Sequence, residues 1–355
     1  MDKTYEEILI EALKVVAPGT KLRQGLEDIL RAKTGALIII GDSSDVMEIV
    51  EGGFQINASF SPSYLYELAK MDGAIILNRE VSKILIANAQ LVPASTIPST
   101  ETGIRHRTAE RVARQTNELV ISISQRRNVI TLYKGVIKYY LRDISVILTK
   151  SNQAIQILEK YKAVLDRALN NLSALEYDDL VTVFDVVKVL QRTEMVIRIV
   201  KELEKYITEL GIEGRLIKMQ VEELVDNVED EGLRVIKDYN QNERKPEAVL
   251  NNIRVWSSEE LLDLSNIARE LGFILNHNNI DITVSSRGFR LLNKIPRLPV
   301  QVIENLLQSF ENFQSILDAS IEELDEVEGI GEVRARNIKD GLRRLREQIF
   351  LDRHI

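Results

Sequence analysis

The sequence predicts a mixed α/β domain over residues 1–145, an all-α middle over 146–286 and a compact helical unit over 287–355. Three observations support this. Short β-type runs bounded by polar or glycine residues fill the first part, the strand signal stops near Ser145, and a glycine-bracketed hairpin pattern sits close to the C-terminus. At 355 residues the chain exceeds what one hydrophobic core usually organises, so two or three domains are expected.

From Tyr5 to Ala32 apolar residues recur at three and four positions, which predicts two helices parted by Pro18-Gly19 and flanking a sheet. Strands are expected at Ala36–Ile40, Gly73–Leu77, Lys83–Ala87, Leu119–Ser124 and Val129–Tyr133, with helices at Pro62–Lys70 and Thr108–Gln115. Leu37 to Ile40 is apolar without alternation, as in a central strand covered on both faces. Long helices follow at Ala154–Leu175, Thr182–Leu210 and Glu213–Tyr239, with Gly211 as the clearest break and Thr182-x-x-Asp185 as an N-cap. This stretch reads as scaffold. Gln241 to Pro246 is a polar loop, and a last helical unit begins near Arg287.

Hydrophobic residues make up 45% of the chain, charged residues 28% and aromatic residues 5%, a soluble, helix-rich composition. A net charge of −8 excludes a surface that binds polyanions everywhere, so any nucleic-acid contact must come from a local basic patch. With no cysteine, disulfides, thiolate metal sites and cysteine catalysis are all excluded. Met1 to Val16 is charged and amphipathic rather than a signal peptide, and no long uncharged apolar run occurs, so a cytoplasmic protein with no membrane partner is expected.

The densest chemical cluster is Thr102-Gly103-Ile104-Arg105-His106-Arg107-Thr108, standing before a helical run. Helix N-termini offer unpaired N–H groups and positive potential. Cations there complete a phosphate cradle, and Thr108 can cap the helix or bond a phosphate oxygen. The same residues also fit a solvated basic turn. Asp72-Gly73-Ala74 puts an acid and a glycine at the mouth of an apolar strand, suited to a metal or a hydroxyl but equally to ordinary turn chemistry. Ser122 to Asn128 adds hydroxyl, amide and guanidinium donors between two strands. There is no P-loop, no Gly-x-Gly-x-x-Gly after a strand and no His-Glu-x-x-His. His277 and His354 have no evident partner and read as surface or core filler.

Leu324 to Ala335 carries apolar anchors around Gly329-Ile330-Gly331, followed by Arg334, Arg336, Lys339, Arg343 and Arg344. The glycines permit a tight turn between helices whose backbone N–H groups meet a DNA phosphate, with the cations behind it. This is a helix-hairpin-helix pattern, which can also serve structure or protein contacts. Leu292 to Val300 repeats the apolar offsets with Arg297 and Pro299 among the residues at the turn, as in a degenerate partner hairpin.

Taken together, Asp72-Gly73-Ala74 and Arg105-His106-Arg107-Thr108 resemble the two signature motifs of the diadenylate cyclase domain. With the helical middle and terminal hairpin, the whole chain is similar to the DNA-integrity-scanning diadenylate cyclases. The resemblance implies that two facing domains, each holding one ATP, form cyclic di-AMP and release two pyrophosphates. It implies that Asp72 positions Mg²⁺ or Mn²⁺ and activates the 3′-hydroxyl, and that Gly73 and Leu91 line the pocket. Arg105, His106, Arg107 and Thr108 hold phosphates, with Ile104 offering its backbone and Ser124 a further contact. It further implies a homo-octamer that binds branched DNA, such as recombination intermediates, through Gly329, Gly331, Arg334, Arg336 and Lys339, with DNA lowering activity.

Ile104 stands where many members have threonine, Gln125 where an arginine can follow the serine, and Val333 where lysine is frequent. The runner-up reading is a DNA-repair or recombination scaffold that binds nucleotides without cyclising them. A third is an adenylyltransferase acting on a macromolecule.

Overall fold

The apolar run Ala36–Ile40 forms strand β1, and all five residues are buried. Its alternate side chains enter two different cores, Ile38 and Ile40 on one face and Leu37 and Ile39 on the other, as the two-residue period of a strand requires. The computed structural model describes residues 4–242, 244–275 and 280–352, so His277 and His354 lie outside the described residues.

Eight strands make the sheet: β1, β2 (Val50–Glu51), β3 (Phe54–Ser59), β4 (Ala74–Leu77), β5 (Lys83–Leu91), β6 (Leu119–Ser124), β7 (Val129–Lys134) and β8 (Ile137–Tyr140). Their order is β2-β5-β4-β1-β6-β7-β8, with β3 also paired to β5. Only β1 and β4 run parallel, in register Ile38 to Ile75, and the other pairs are antiparallel. One face is covered by α1 (Tyr5–Val15), α2 (Lys21–Arg31) and α4 (Pro62–Leu68), through Leu13, Leu22, Leu26, Ile29 and Leu65. The other is covered by α3 (Ser44–Glu48) and α5 (Ile104–Thr116), through Val46, Ala109, Val112 and Ala113. Each fully buried leucine or isoleucine is worth about 1.5–3 kcal/mol, so both layers contribute substantially.

The remaining helices are α6 (Ile144–Asp178), α7 (Val183–Leu210), α8 (Arg215–Leu224), α9 (Val228–Tyr239), α10 (Pro246–Arg254), α11 (Ser258–Leu262), α12 (Leu264–Glu270), α13 (Phe289–Leu292), α14 (Val300–Ser309), α15 (Phe313–Asp318), α16 (Ile321–Asp325) and α17 (Glu332–Asp352). One compact unit comprises residues 1–153 and 203–219, and a second comprises 154–202 and 220–355. In the second, Ala174 and Tyr177 of α6 share a core with α13 to α17, and the Tyr177 hydroxyl donates to the Leu342 carbonyl.

The fold class is the expected one, with differences at several boundaries. Helix α5 begins at Ile104, four positions before the expected Thr108, because Gly103 takes the extended N-cap conformation. Arg105, His106 and Arg107 therefore lie inside the first turn, and Thr108 does not cap it. The expected helix Glu213–Tyr239 is broken: a 3₁₀ turn spans Gly211–Gly214, and Asn227 at φ 64° separates α8 from α9. Strand β8 follows a tight turn at Gly135, φ 55°, which the apolar pattern did not signal. At the N-terminus of α7, Thr182 and Asp185 cap each other reciprocally, as their spacing predicted.

Candidate functional site

Asp72-Gly73 leads into β4, where the backbone passes very close to β5. A Cβ on Gly73 would stand 2.4 Å from the Asn88 carbonyl carbon, so only glycine fits. Asn88 bulges out of β5 at φ 55° and its Oδ1 accepts a hydrogen bond from the Gly73 N–H at 3.1 Å. A cavity of about 730 Å³ opens beside this bulge, lined by Asp72, Gly73, Leu91, Ile104, Arg105 and Thr108 and by Leu37, Ala74, Asn88, Ala89 and Gln90. Motifs 30 residues apart thus share one wall.

The first turn of α5 faces this cavity with no side-chain cap on its N–H groups, which leaves them for an anion. Gly35 makes room for Arg105: a Cβ there would lie 2.0 Å from Nη1. The guanidinium of Arg105 stands 3.9 Å from the Asp72 carboxylate, itself fully exposed. Arg107 folds back, donating to the Glu101 and Thr102 carbonyls at 3.4 Å each. Buried Glu110 ties down the preceding loop, accepting from Ser99 at 2.5 Å and the Thr100 N–H at 3.2 Å.

Behind the turn, His106 Nδ1 lies 2.9 Å from the Tyr133 hydroxyl, which donates to Glu101 Oε1 at 2.8 Å. Lys138 completes the group at 2.5 Å from the same oxygen. Burial pushes the Glu101 carboxyl up, but the hydrogen bonds from Lys138 and Tyr133 more than offset this and hold it below its ordinary range. Burial also lowers the His106 pKa, helped by Arg127, Lys138 and Arg105 and opposed by Glu101. Ser124, at the end of β6, accepts from the Arg127 N–H at 3.3 Å. His106, Arg107 and Ser124 do not line the cavity.

Sequence reading missed Asn88, Gln90, Glu101 and Tyr133. A polar residue inside the apolar run of β5 was the available signal for Asn88. Glu101 and Tyr133 meet only because the sheet brings β7 beneath α5. Among the described residues no cluster of three or more acidic or histidine side chains could hold a metal unaided.

A second cleft, about 840 Å³, lies between two hairpins in the C-terminal part of the second unit. In one, Gly329 adopts φ 82°, Ile330 N–H donates to Val327 O at 2.9 Å, and Ala335 N–H donates to Gly331 O at 2.9 Å. In the other, Arg297 takes the left-handed place of Gly329 at φ 61°. There, Leu298 N–H donates to Ile295 O at 3.4 Å, and Ile303 N–H donates to Pro299 O at 3.2 Å. Pro299 occupies the place of Gly331 and has no N–H to offer. Arg334 bonds back to the Gly329 carbonyl and Arg336 pairs with Glu332. Lys339 donates to the Leu317 and Ala319 carbonyls at 2.6 and 2.7 Å.

Residues 23–137 match the family described as DisA bacterial checkpoint controller nucleotide-binding, 141–280 the DisA linker region and 289–344 the SAM-like helix-hairpin-helix tandem. The DNA integrity scanning protein DisA of Carboxydothermus hydrogenoformans is 66% identical over 97% of this chain and 98% of its own. Its namesakes from Clostridium kluyveri and Clostridium botulinum (strain Loch Maree) are 58% and 57% identical, over 98% and 97% of this chain and 98% of their own. Fold, pocket and hairpins define a diadenylate cyclase, an enzyme that condenses two ATP into cyclic di-AMP, joined to a helix-hairpin-helix DNA-sensing module. The chain belongs to the DisA family. No helix of the described residues is long and apolar enough to cross a membrane.

Proposed function

We propose that the cavity between β4, β5 and the first turn of α5 holds one ATP, and that cyclisation takes place between two such cavities facing one another. The observation that carries this is the convergence of Asp72, Gly73 and Arg105 on one open wall. Gly73 and Leu91 contact the nucleoside through backbone, while Arg105, His106, Arg107, Thr108 and the backbone of Ile104 take the phosphates, with Ser124 beside them. Each 3′-hydroxyl oxygen bonds to the α-phosphorus of the opposite ATP as the bond to pyrophosphate breaks, and the hydroxyl proton is released. A fully exposed Asp72 suits a group that meets its substrate only at such a face.

Asp72 supplies a hard oxygen donor, which with triphosphate oxygens suits Mg²⁺ or Mn²⁺. When bound, the ion offsets charge on the phosphates and leaving group. Arg105 neutralises Asp72 in its absence and the phosphates in its presence.

The same reading divides the chain at 145 and 286 into cyclase, spine and hairpin parts, places it in the cytoplasm as a homo-octamer, and assigns branched DNA to Gly329, Gly331, Arg334, Arg336 and Lys339. The unpaired first-turn N–H groups of α17 support a phosphate contact. DNA there lowers cyclase activity. The test is chromatography of products after incubating the protein with ATP and Mg²⁺ or Mn²⁺, alongside Asp72→Asn. Cyclic di-AMP from the wild type and none from the folded variant supports the reading. No product with either metal, or equal product from both proteins, overturns it.

A further inference from the structure

The chain Glu101–Tyr133–His106 has a fixed direction. Tyr133 spends its single hydroxyl proton on Glu101, so the 2.9 Å contact to His106 requires the proton on Nδ1 of the imidazole. In the neutral ring Nε2 then carries only a lone pair, and it is buried with no partner among the described residues. An unpaired buried polar atom is costly, and the cost is relieved if Nε2 takes a proton and meets an anion. The charged groups around the ring are Arg105 of α5, Arg127 of the β6–β7 turn, Lys138 of β8 and Glu101 of the loop before α5. Three are cations that resist a further positive charge. Glu101 alone favours it, and acts through Tyr133.

We infer that Glu101, Tyr133 and Lys138 are positioning residues for the phosphate cradle, holding His106 in one tautomer so that an arriving triphosphate draws a solvent proton onto Nε2. The inference rests on reading the cavity as the ATP site. Triphosphate charge offsets the three cations, the Nδ1–H bond to Tyr133 steadies the imidazolium, and the new Nε2–H becomes a phosphate donor. Lys138 keeps Glu101 ionised and in place. The sign follows: binding raises the affinity of His106 for its proton, so ATP binding is strongest below the pKa of the free ring. It weakens as pH rises through the pKa of the bound one.

Calorimetry of a non-hydrolysable α,β-methylene ATP analogue with Mg²⁺, in two buffers of different ionisation enthalpy, reads the proton directly. Wild type should take up a proton on binding, to a limit of about one per site. Tyr133→Phe and Glu101→Gln should still bind but take up markedly less, with KM for ATP raised about tenfold near pH 8 and kcat little changed, the pattern of a lost binding contact. Glu101→Gln keeps size and an acceptor oxygen, so it decides the matter if Tyr133→Phe does not fold. Wild-type proton uptake and KM in a folded variant overturn the relay, as does buffer-independent heat in the wild type. No binding heat at all in the wild type overturns the ATP-site reading itself, and the relay with it.

Discussion

Gly73 is where a single hydrogen atom decides the site. With the Asn88 backbone 2.4 Å from any added Cβ, Gly73→Ala must push β4 away from β5 at the cavity wall. Overpacking of this kind costs about 1–3 kcal/mol, so thermal melting should show a modest loss of stability while ATP affinity falls far more. Asp72, Gly73 and Arg105 were legible in the sequence because their residue types have few alternative uses beside an apolar strand or a helix start. Asn88 was not, since one asparagine in a strand says nothing about which neighbour it crosses. Tyr133 was read only as the end of an apolar strand, and its partner Glu101 lies 32 residues away.

At the scale of elements, the strands closest to the core were the most legible. Ala36–Ile40 and Leu119–Ser124 appear with the expected bounds because uninterrupted apolar runs leave few alternatives. Edge elements escaped: β3 is half exposed and bends where Asn57 takes φ 48°, which destroys its alternation. The start of α5 was misplaced because Arg-His-Arg carries no apolar period, although Gly103 marks it.

The two hairpins show the same dependence on local chemistry. Both turn alike, but proline in place of the second glycine strips the first of an N–H, so the second carries the phosphate contact. Val333, exposed and on the cleft wall, is a place to add one. Val333→Lys should tighten DNA binding and steepen the dependence of log affinity on log salt by about one unit, read by titrating fluorescent DNA at several salt concentrations. Gly331→Pro should weaken binding by copying the first hairpin.

At the scale of the whole molecule, the second unit is organised around a buried polar hub that no sequence pattern announced. Arg290 is fully buried against Glu176, whose other oxygen accepts from Tyr239 at 2.8 Å. Asp238 accepts from the Phe289 and Arg290 N–H groups at 2.6 and 2.9 Å. The hub joins α6, α9 and α13, tying the hairpin region to the helices beside it. Arg290→Met strands a buried carboxylate and should cost about 3–5 kcal/mol in unfolding experiments.

Burial and the nearby Glu176 push the Asp238 carboxyl up to about 7, against the pull of the Arg290 and Phe289 N–H groups and the Arg290 charge. A folded pKa above the unfolded one means its contribution to stability is present below the unfolded pKa and lost as pH rises through about 7. The penalty of Asp238→Asn should therefore shrink between pH 6 and pH 8, as paired melts of wild type and variant would show.

The chain-level claim is that two cavities, from two chains, make one reaction centre. It is tested most directly by co-expressing wild type with Asp72→Asn at graded ratios and measuring cyclic di-AMP formed per total protein. If both facing chains must supply Asp72, activity falls as the square of the wild-type fraction. A linear fall would mean that each chain works alone, and would contradict the facing-pair site.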